Sequence, residues 1–152
     1  MLKQLIEQGL FEIYDEPMHW EDAIHASVAP LVKAGACTEQ YAEVIIDRIK
    51  THGPYIVLAP ELALPHAEDC EHVSRSAVCF VKFNQPVSFA EEDPYDFSEV
   101  KTARLFFALT SEDEMQHLRN LRALTEECLR NSELVAKLCE ATTKEEILAV
   151  LV

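Results

Sequence analysis

The apolar residues of this chain change their spacing from one segment to the next, between the intervals of an amphipathic helix and the short runs of a strand. Helical spacing covers residues 20–32, with Gly35 as a natural end, and returns at residues 41–49, where we expect Thr38 to be the helix cap. Strand-like runs lie at residues 11–14, 55–58, 76–83 and 103–110. This alternation predicts an α/β fold, with a central mixed β-sheet flanked by helices on both faces.

Chain length and possible helix caps predict the domain organisation and the helices of the C-terminal part of the chain. Its 152 residues are about the size of one ordinary domain, and no Gly/Ser-rich or Pro-rich linker interrupts them. We therefore expect residues 1–152 to form a single domain. Ser111 is expected to start a further helix, and Ser132 and either Thr142 or Thr143 to cap two short helices near the end.

Charge and hydropathy exclude several classes of partner. A formal net charge of −14 opposes binding to phosphate backbones and to anionic lipid, and it favours a protein partner with basic surface. The longest apolar runs fall well short of the roughly 20 residues that span a bilayer. Residues 1–12 carry charges where a signal peptide would be apolar, so we expect a cytoplasmic protein whose five cysteines stay reduced.

Motifs for nucleotide binding and for serine hydrolysis are absent from the sequence. With three glycines in the whole chain, neither a glycine-rich phosphate loop nor a dinucleotide fingerprint can form, and no G-x-S-x-G run occurs. Half of a zinc-deaminase signature, H-x-E, stands at residues 66–68, with Cys70, His72 and Cys79 nearby as potential ligands. The P-C-x-x-C half is missing, so we expect no metal and no cofactor.

His66 is the best candidate for a reactive group. It follows two prolines, Pro60 and Pro65, in residues 59–66, which we expect to lack regular secondary structure because proline removes backbone donors. A loop position keeps an imidazole accessible, and a neutral imidazole can attack a phosphoryl donor with one nitrogen while a hydrogen bond holds the other. Which nitrogen attacks is left open by the sequence.

The segment around His66 carries a family resemblance. The run G-P-Y-I-V-L-A-P-E-L-A-L-P-H-A at residues 53–67 resembles the active-site segment of the mannitol/fructose-type enzyme IIA family of the sugar phosphotransferase system. Its last nine residues, of the form A-P-x-x-A-x-P-H-A, look most like the ascorbate-type branch. The likeness continues through F-N-Q-P-V-S-F at residues 83–89 and H-L-R-N-L at residues 117–121.

The resemblance implies a role for three residues. His66 takes the place of the phosphorylated histidine, His117 that of a second active-site histidine, and Arg48 that of an arginine near the phosphoryl group. A planar, permanently charged guanidinium suits several phosphate oxygens at once. The chain would then be a phosphotransferase without cofactor or metal.

The resemblance also implies partners. The carrier protein HPr would donate the phosphoryl group and an enzyme IIB component would accept it, with the membrane enzyme IIC as an indirect partner in the uptake of ascorbate or a related sugar. Two alternatives stay open at this point. The domain could be a regulatory module that is phosphorylated but signals through a protein partner, or it could retain the fold with an inactive site, although the presence of both histidines argues against the latter.

Two departures from the family pattern concern negative charge near His66. Glu61 stands where relatives of this type often have glycine, and its carboxylate could either oppose a second anion near His66 or point into solvent. Residues 67–71, which include Glu68 and Asp69, are acidic where relatives commonly carry an arginine and a proline. Both departures put the efficiency of transfer and the choice of partner in question, not the fold.

Overall fold

A computed structural model describes residues 2–68, 71–89, 101–113 and 131–151, and single positions 115, 119, 122, 123 and 126 of the intervening segment. The helix expected from Ser111 lies almost wholly outside these residues. The helices and strands, in chain order, are α1 (Leu2–Glu7), β1 (Phe11–Tyr14), α2 (Trp20–Lys33), α3 (Gln40–His52), β2 (Val57–Ala59), β3 (Glu61–Ala63), β4 (Ala77–Phe89), β5 (Lys101–Thr110), α4 (Ser132–Glu140) and α5 (Lys144–Val150).

The strands form one mixed sheet in the order β1-β4-β5-β3-β2. β1 runs parallel to β4, and β3 runs parallel to β5, whereas β4 and β5 are antiparallel and β2 and β3 form an antiparallel hairpin. The predicted α/β class with a central mixed sheet is therefore confirmed.

Helices cover the sheet on both faces, because the central strand β5 sends successive side chains to opposite sides. Phe106 packs in the core beneath α2 and α3, where Ile24 and Ile45 are fully buried. Leu105 and Phe107 pack in the second core beneath α1, α4 and α5. The apolar run predicted to be a central strand is thus buried on both faces.

The expectation that residues 59–66 lack regular structure was wrong in part. Glu61–Ala63 is the short strand β3, which pairs with β5 on one side and with β2 on the other. Pro60 lies in the turn between β2 and β3, where no ladder hydrogen bond is needed, and Glu61 follows it with φ +71°. A proline as the second of the four turn residues, followed by a residue with positive φ as the third, fits a type II turn. The third residue of such a turn is usually glycine. The strand expected at residues 55–58 is correspondingly Val57–Ala59.

Two of the expected helix caps were also wrong. The residue before α3 is Glu39, without a side-chain cap, and the backbone of Thr38 instead bonds to the carbonyl of His72. Asn131, not Ser132, caps α4 with its side chain. Thr143 caps α5 as expected, and Glu146 accepts a hydrogen bond from the backbone N–H of Thr142 at 2.7 Å.

A buried lysine links the sheet to the end of α4. Lys82 of β4 is 0% exposed, and its Nζ donates to the carbonyl of Ala141, which caps α4, and to Oδ1 of Asn84, each at 2.7 Å. Burial lowers the pKa of Lys82, an effect opposed in part by nearby acidic groups. The last helices are thus fixed to the sheet by directed polar contacts as well as by apolar packing.

Lys82→Met should lower the free energy of unfolding by about 1–3 kcal/mol, because two acceptors lose their buried donor. Lys137→Met is the matched control, since Lys137 is an exposed residue of α4 whose ammonium pairs with Glu133 one turn away. Urea denaturation followed by circular dichroism measures both. Equal midpoints for the two variants would show that the Lys82 contacts do not stabilise the fold.

Candidate active site

His66 lies in a loop at the carboxyl ends of two parallel strands. The His66 loop, residues 64–68, leaves β3 and runs beside the end of β5, where the backbone N–H of Leu109 donates to the carbonyl of Pro65 at 3.1 Å. At its start, the N–H of Leu64 donates to the carbonyl of Ile56 at 2.8 Å. Carboxyl ends of parallel strands are common positions for binding sites in open α/β sheets.

The imidazole of His66 is held by its own loop. Its Nδ1 lies 2.5 Å from the carbonyl oxygen of Leu64. A carbonyl oxygen can only accept, so Nδ1 must carry the proton, and in the neutral ring the lone pair is then on Nε2. The tautomer is therefore assigned by this hydrogen bond, with the proton on Nδ1 and the lone pair on Nε2.

Tyr55 contacts both the backbone and the ring of His66. Its Oη donates to the carbonyl oxygen of His66 at 2.5 Å, and its ring meets the imidazole edge-on, with centroids 5.4 Å apart and an interplanar angle of 82°. Burial raises the pKa of Tyr55 to about 12, although the positive charge of Arg48 acts in the opposite direction. At neutral pH the Tyr55 hydroxyl is therefore a protonated hydrogen-bond donor.

Tyr41 of α3 holds the residue that follows His66. Its hydroxyl accepts from the backbone N–H of Ala67 at 3.1 Å and donates to the carbonyl of Leu109 at 2.6 Å. The side chain is almost fully buried. One hydroxyl thus connects the His66 loop to the end of β5.

Arg48 lies two helical turns after Tyr41 on α3 and contacts the end of the same loop. Its Nη2 donates to the carbonyl of Glu68 at 3.0 Å, and the side chain is partly exposed. Two of the three residues predicted from the sequence, His66 and Arg48, therefore meet at one loop. His117 lies outside the described residues.

The carboxylate of Glu61 is directed toward a different set of residues. Its Oε2 accepts from Nη1 of Arg104 at 3.0 Å and from the thiol of Cys139 at 3.4 Å. Cys139 belongs to α4, on the face of the sheet opposite α3, and burial raises its pKa to about 11. The sequence left open two orientations for the Glu61 carboxylate, toward a second anion near His66 or into solvent. Neither is observed, because the carboxylate forms an ion pair with Arg104.

The potential zinc ligands are not arranged as a metal site in the part of the chain that the structure describes, where no group of three or more His, Cys, Asp or Glu residues is placed to hold an ion. Cys79 is completely buried, its thiol donates to the carbonyl of Ser27 at 3.0 Å, and burial raises its pKa far above the ordinary value. A thiol kept protonated in this way does not supply a thiolate ligand. Cys70 lies outside the described residues.

Sequence reasoning missed Tyr41 and Tyr55 as site residues. Tyr41 was interpreted as part of the apolar stripe of α3, and Tyr55 as the first residue of a strand. The signal available was the hydroxyl itself, because a buried tyrosine usually places its O–H on a hydrogen-bond partner. The sequence could not identify that partner, since Tyr41 reaches Leu109 across a long stretch of chain.

Comparisons with known proteins agree with this architecture. The family model described as "Phosphoenolpyruvate-dependent sugar phosphotransferase system, EIIA 2" matches residues 4–152. The ascorbate-specific PTS system EIIA component of Shigella boydii is 36% identical over 89 residues, which cover 59% of this chain and 58% of that relative. The match thus spans little more than half the length of that curated relative.

Solved structures resemble the whole fold. A protein of Streptococcus mutans described as a PTS IIA (PtxA) superposes with a TM-score of 0.80 at 26% identity, covering 99% of this chain and 92% of that one. The Escherichia coli enzyme IIAMTL, solved in a complex with phosphorylated enzyme IIBMTL, superposes with a TM-score of 0.70 at 24% identity, covering 92% of each chain. Separately, no helix within the described residues is long and apolar enough to cross a membrane.

The tautomer of His66 can be measured directly. We expect the ¹⁵N shifts of the neutral ring to show the proton on Nδ1 and the lone pair on Nε2, because the carbonyl of Leu64 can only accept. His25 is the internal comparison, since its Nε2 lies 2.6 Å from the carboxylate of Glu43 and should carry the proton instead. Long-range ¹H–¹⁵N correlation resolves both rings, and a proton on Nε2 of His66 would contradict the assignment.

Proposed function

This chain belongs to the phosphoenolpyruvate-dependent sugar phosphotransferase system EIIA 2 family, and we propose that it is a phosphoryl carrier in which His66 is the phosphorylated residue. The family resemblance drawn from residues 53–67 is thereby confirmed. In the proposed relay, His66 accepts the phosphoryl group from phosphorylated HPr and donates it to an enzyme IIB component. The chain would act as a phosphotransferase without metal or cofactor.

The observation that carries the proposal is the hydrogen bond from Nδ1 of His66 to the carbonyl of Leu64. It places the lone pair of the neutral ring on Nε2 and fixes the plane of the ring. In the transfer, Nε2 forms a bond to phosphorus while the P–N bond of the donor phosphohistidine breaks and its electron pair returns to the donor nitrogen. Onward transfer breaks the new bond in the same sense. As in other phosphoryl transfers, catalysis would consist mainly of alignment and charge stabilisation.

Arg48 is proposed to stabilise charge on the transferring group. One of its guanidinium donors is used on the carbonyl of Glu68, two residues after His66, and a guanidinium has further donors for phosphate oxygens. We also propose His117 as the second active-site histidine, on the H-L-R-N-L run at residues 117–121.

The proposed partners follow from the relatives and from charge. The Shigella boydii relative is named for ascorbate, and the IIAMTL structure was solved with phosphorylated IIBMTL, which supports ascorbate or a related sugar and an enzyme IIB acceptor. HPr would be the donor and the membrane enzyme IIC an indirect partner, with the chain itself in the cytoplasm. A net charge of −14 would steer encounters toward basic partner surfaces.

Incubation with phosphoenolpyruvate, enzyme I and HPr should add one acid-labile phosphoryl group, and His66→Ala should abolish it. Intact-mass spectrometry before and after acid treatment measures the modification. His25→Ala is the matched control, because His25 is an exposed histidine on α2 and should leave labelling unchanged. Full labelling of His66→Ala would overturn the site assignment.

The rate at which the phosphorylated protein passes its phosphoryl group to an enzyme IIB component distinguishes a role in transport from a role in regulation. Rapid loss of the phosphoryl group to a matched enzyme IIB supports the relay. Stable phosphorylation with poor onward transfer to every enzyme IIB tested would instead favour the regulatory module that signals through a protein partner.

Arg48→Lys should slow phosphorylation of His66 by about tenfold or more with little change in stability, because lysine keeps the charge but loses the planar fork that donates to two oxygens. Arg75→Lys is a close control, since Arg75 is also an exposed arginine that donates to a backbone carbonyl, that of Ala34. Quenched-flow labelling with phosphorylated HPr measures both rates. Wild-type kinetics for Arg48→Lys would remove Arg48 from the mechanism.

A further inference from the structure

The backbone of the His66 loop is held largely by side chains from other parts of the chain. Pro65 lies within it and β3 ends just before it, and the backbone of β5 contacts it through the bond from Leu109 to Pro65. After Leu64, whose N–H donates to the carbonyl of Ile56, three side chains bond to its backbone, with Tyr55 on the carbonyl of His66, Tyr41 on the N–H of Ala67 and Arg48 on the carbonyl of Glu68. The peptide group that joins His66 to Ala67 is therefore held at both of its polar atoms by two tyrosine hydroxyls.

We propose that Tyr55 and Tyr41 are positioning residues for phosphoryl transfer, which hold the peptide group between His66 and Ala67 so that Nε2 of His66 faces the donor phosphorus in one fixed orientation. The proposal rests on the proposed function of His66. Neither tyrosine is proposed to touch the phosphoryl group.

The geometry of Tyr55 supports this role. Its hydroxyl fixes the carbonyl of His66, and its ring stands edge-on to the imidazole, so backbone and side chain of the same residue are restrained by one neighbour. Burial keeps the hydroxyl protonated at neutral pH, with a pKa of about 12. Tyr55 is thus a constant donor, and it is unsuited to be a proton acceptor in the reaction.

Tyr41 bonds to the other polar atom of the same peptide group, the N–H of Ala67. Because its hydroxyl both accepts from Ala67 and donates to Leu109, it sets the distance between the His66 loop and the end of β5. Its backbone belongs to α3, the helix that also supplies Arg48. A displacement of the loop relative to α3 would therefore move His66 with respect to Arg48, and small misalignments of reacting groups are costly in rate.

The test uses Tyr55→Phe, Tyr41→Phe and the double variant, each of which removes only a hydroxyl. Tyr14→Phe is the matched control, because Tyr14 lies on the edge strand β1, where it stacks on Phe83, far along the sheet from β3. Single-turnover phosphorylation by phosphorylated HPr separates the rate at saturating donor from the donor concentration that gives half that rate.

We expect each single variant to lower the saturating rate by about tenfold while the half-saturating donor concentration stays near wild type. Tyr41→Phe should also lower the urea midpoint, because its buried hydroxyl serves two backbone groups. Tyr14→Phe should keep the wild-type rate. Wild-type saturating rates for both Tyr55→Phe and Tyr41→Phe would overturn the proposal. If Tyr41→Phe fails to fold, the rate of Tyr55→Phe decides.

Two readouts in the unphosphorylated protein do not depend on transfer. In Tyr41→Phe the N–H of Ala67 should exchange with solvent at least tenfold faster, and in Tyr55→Phe the ¹⁵N shifts of His66 should move toward a mixture of tautomers. If the wild-type chain accepts no phosphoryl group yet these changes occur, the function of His66 is wrong and the positioning contacts stand. If transfer occurs in the wild type and neither readout changes, the positioning role is wrong.

Discussion

The site depends on the hydrogen bonds that replace a sheet ladder around His66. Residues 64–68 leave β3 and cannot continue its pairing through Pro65, so their polar backbone groups need other partners. Tyr55, Tyr41 and Arg48 each supply one of those partners, and the imidazole itself supplies another to Leu64. The loop is thereby bonded to α3 and to Tyr55, and the contact with Leu64 determines which ring nitrogen carries the lone pair.

The sheet explains why α3 can supply two of these contacts. β3 lies between β2 and β5, and the core beneath α2 and α3 contains Ala63 of β3 together with Phe106 of β5. With α3 packed on that face, Tyr41 reaches Leu109 and Arg48 reaches Glu68. Helix packing, strand order and the position of His66 are therefore parts of one arrangement.

Local pattern predicted most of the fold and missed what depends on distant partners. The apolar run at residues 103–110 identified β5, but β3 was missed because three residues carry almost no period and its pairing with β5 is non-local. β4 extends to Phe89, beyond the predicted end, across an irregularity between Lys82 and Val87 that interrupts the alternation. At the site, chemistry and family resemblance predicted His66 and Arg48, whereas the contacts of the tyrosines and the partner of Glu61 appear only once the chain is folded.

At Glu61, an unfavourable backbone conformation and an ion pair with a residue far along the chain depend on the same side chain. Its backbone has a φ of +71°, a region that favours glycine, while its carboxylate pairs with Arg104, whose Nε is buried without a hydrogen-bond partner among the described residues. A glycine at position 61 would relax the turn but remove the counter-charge of a guanidinium that is already incompletely satisfied. Positions 61 and 104 should therefore be epistatic, so that the residue tolerated at the β2–β3 turn depends on whether the neighbouring strand carries a cation.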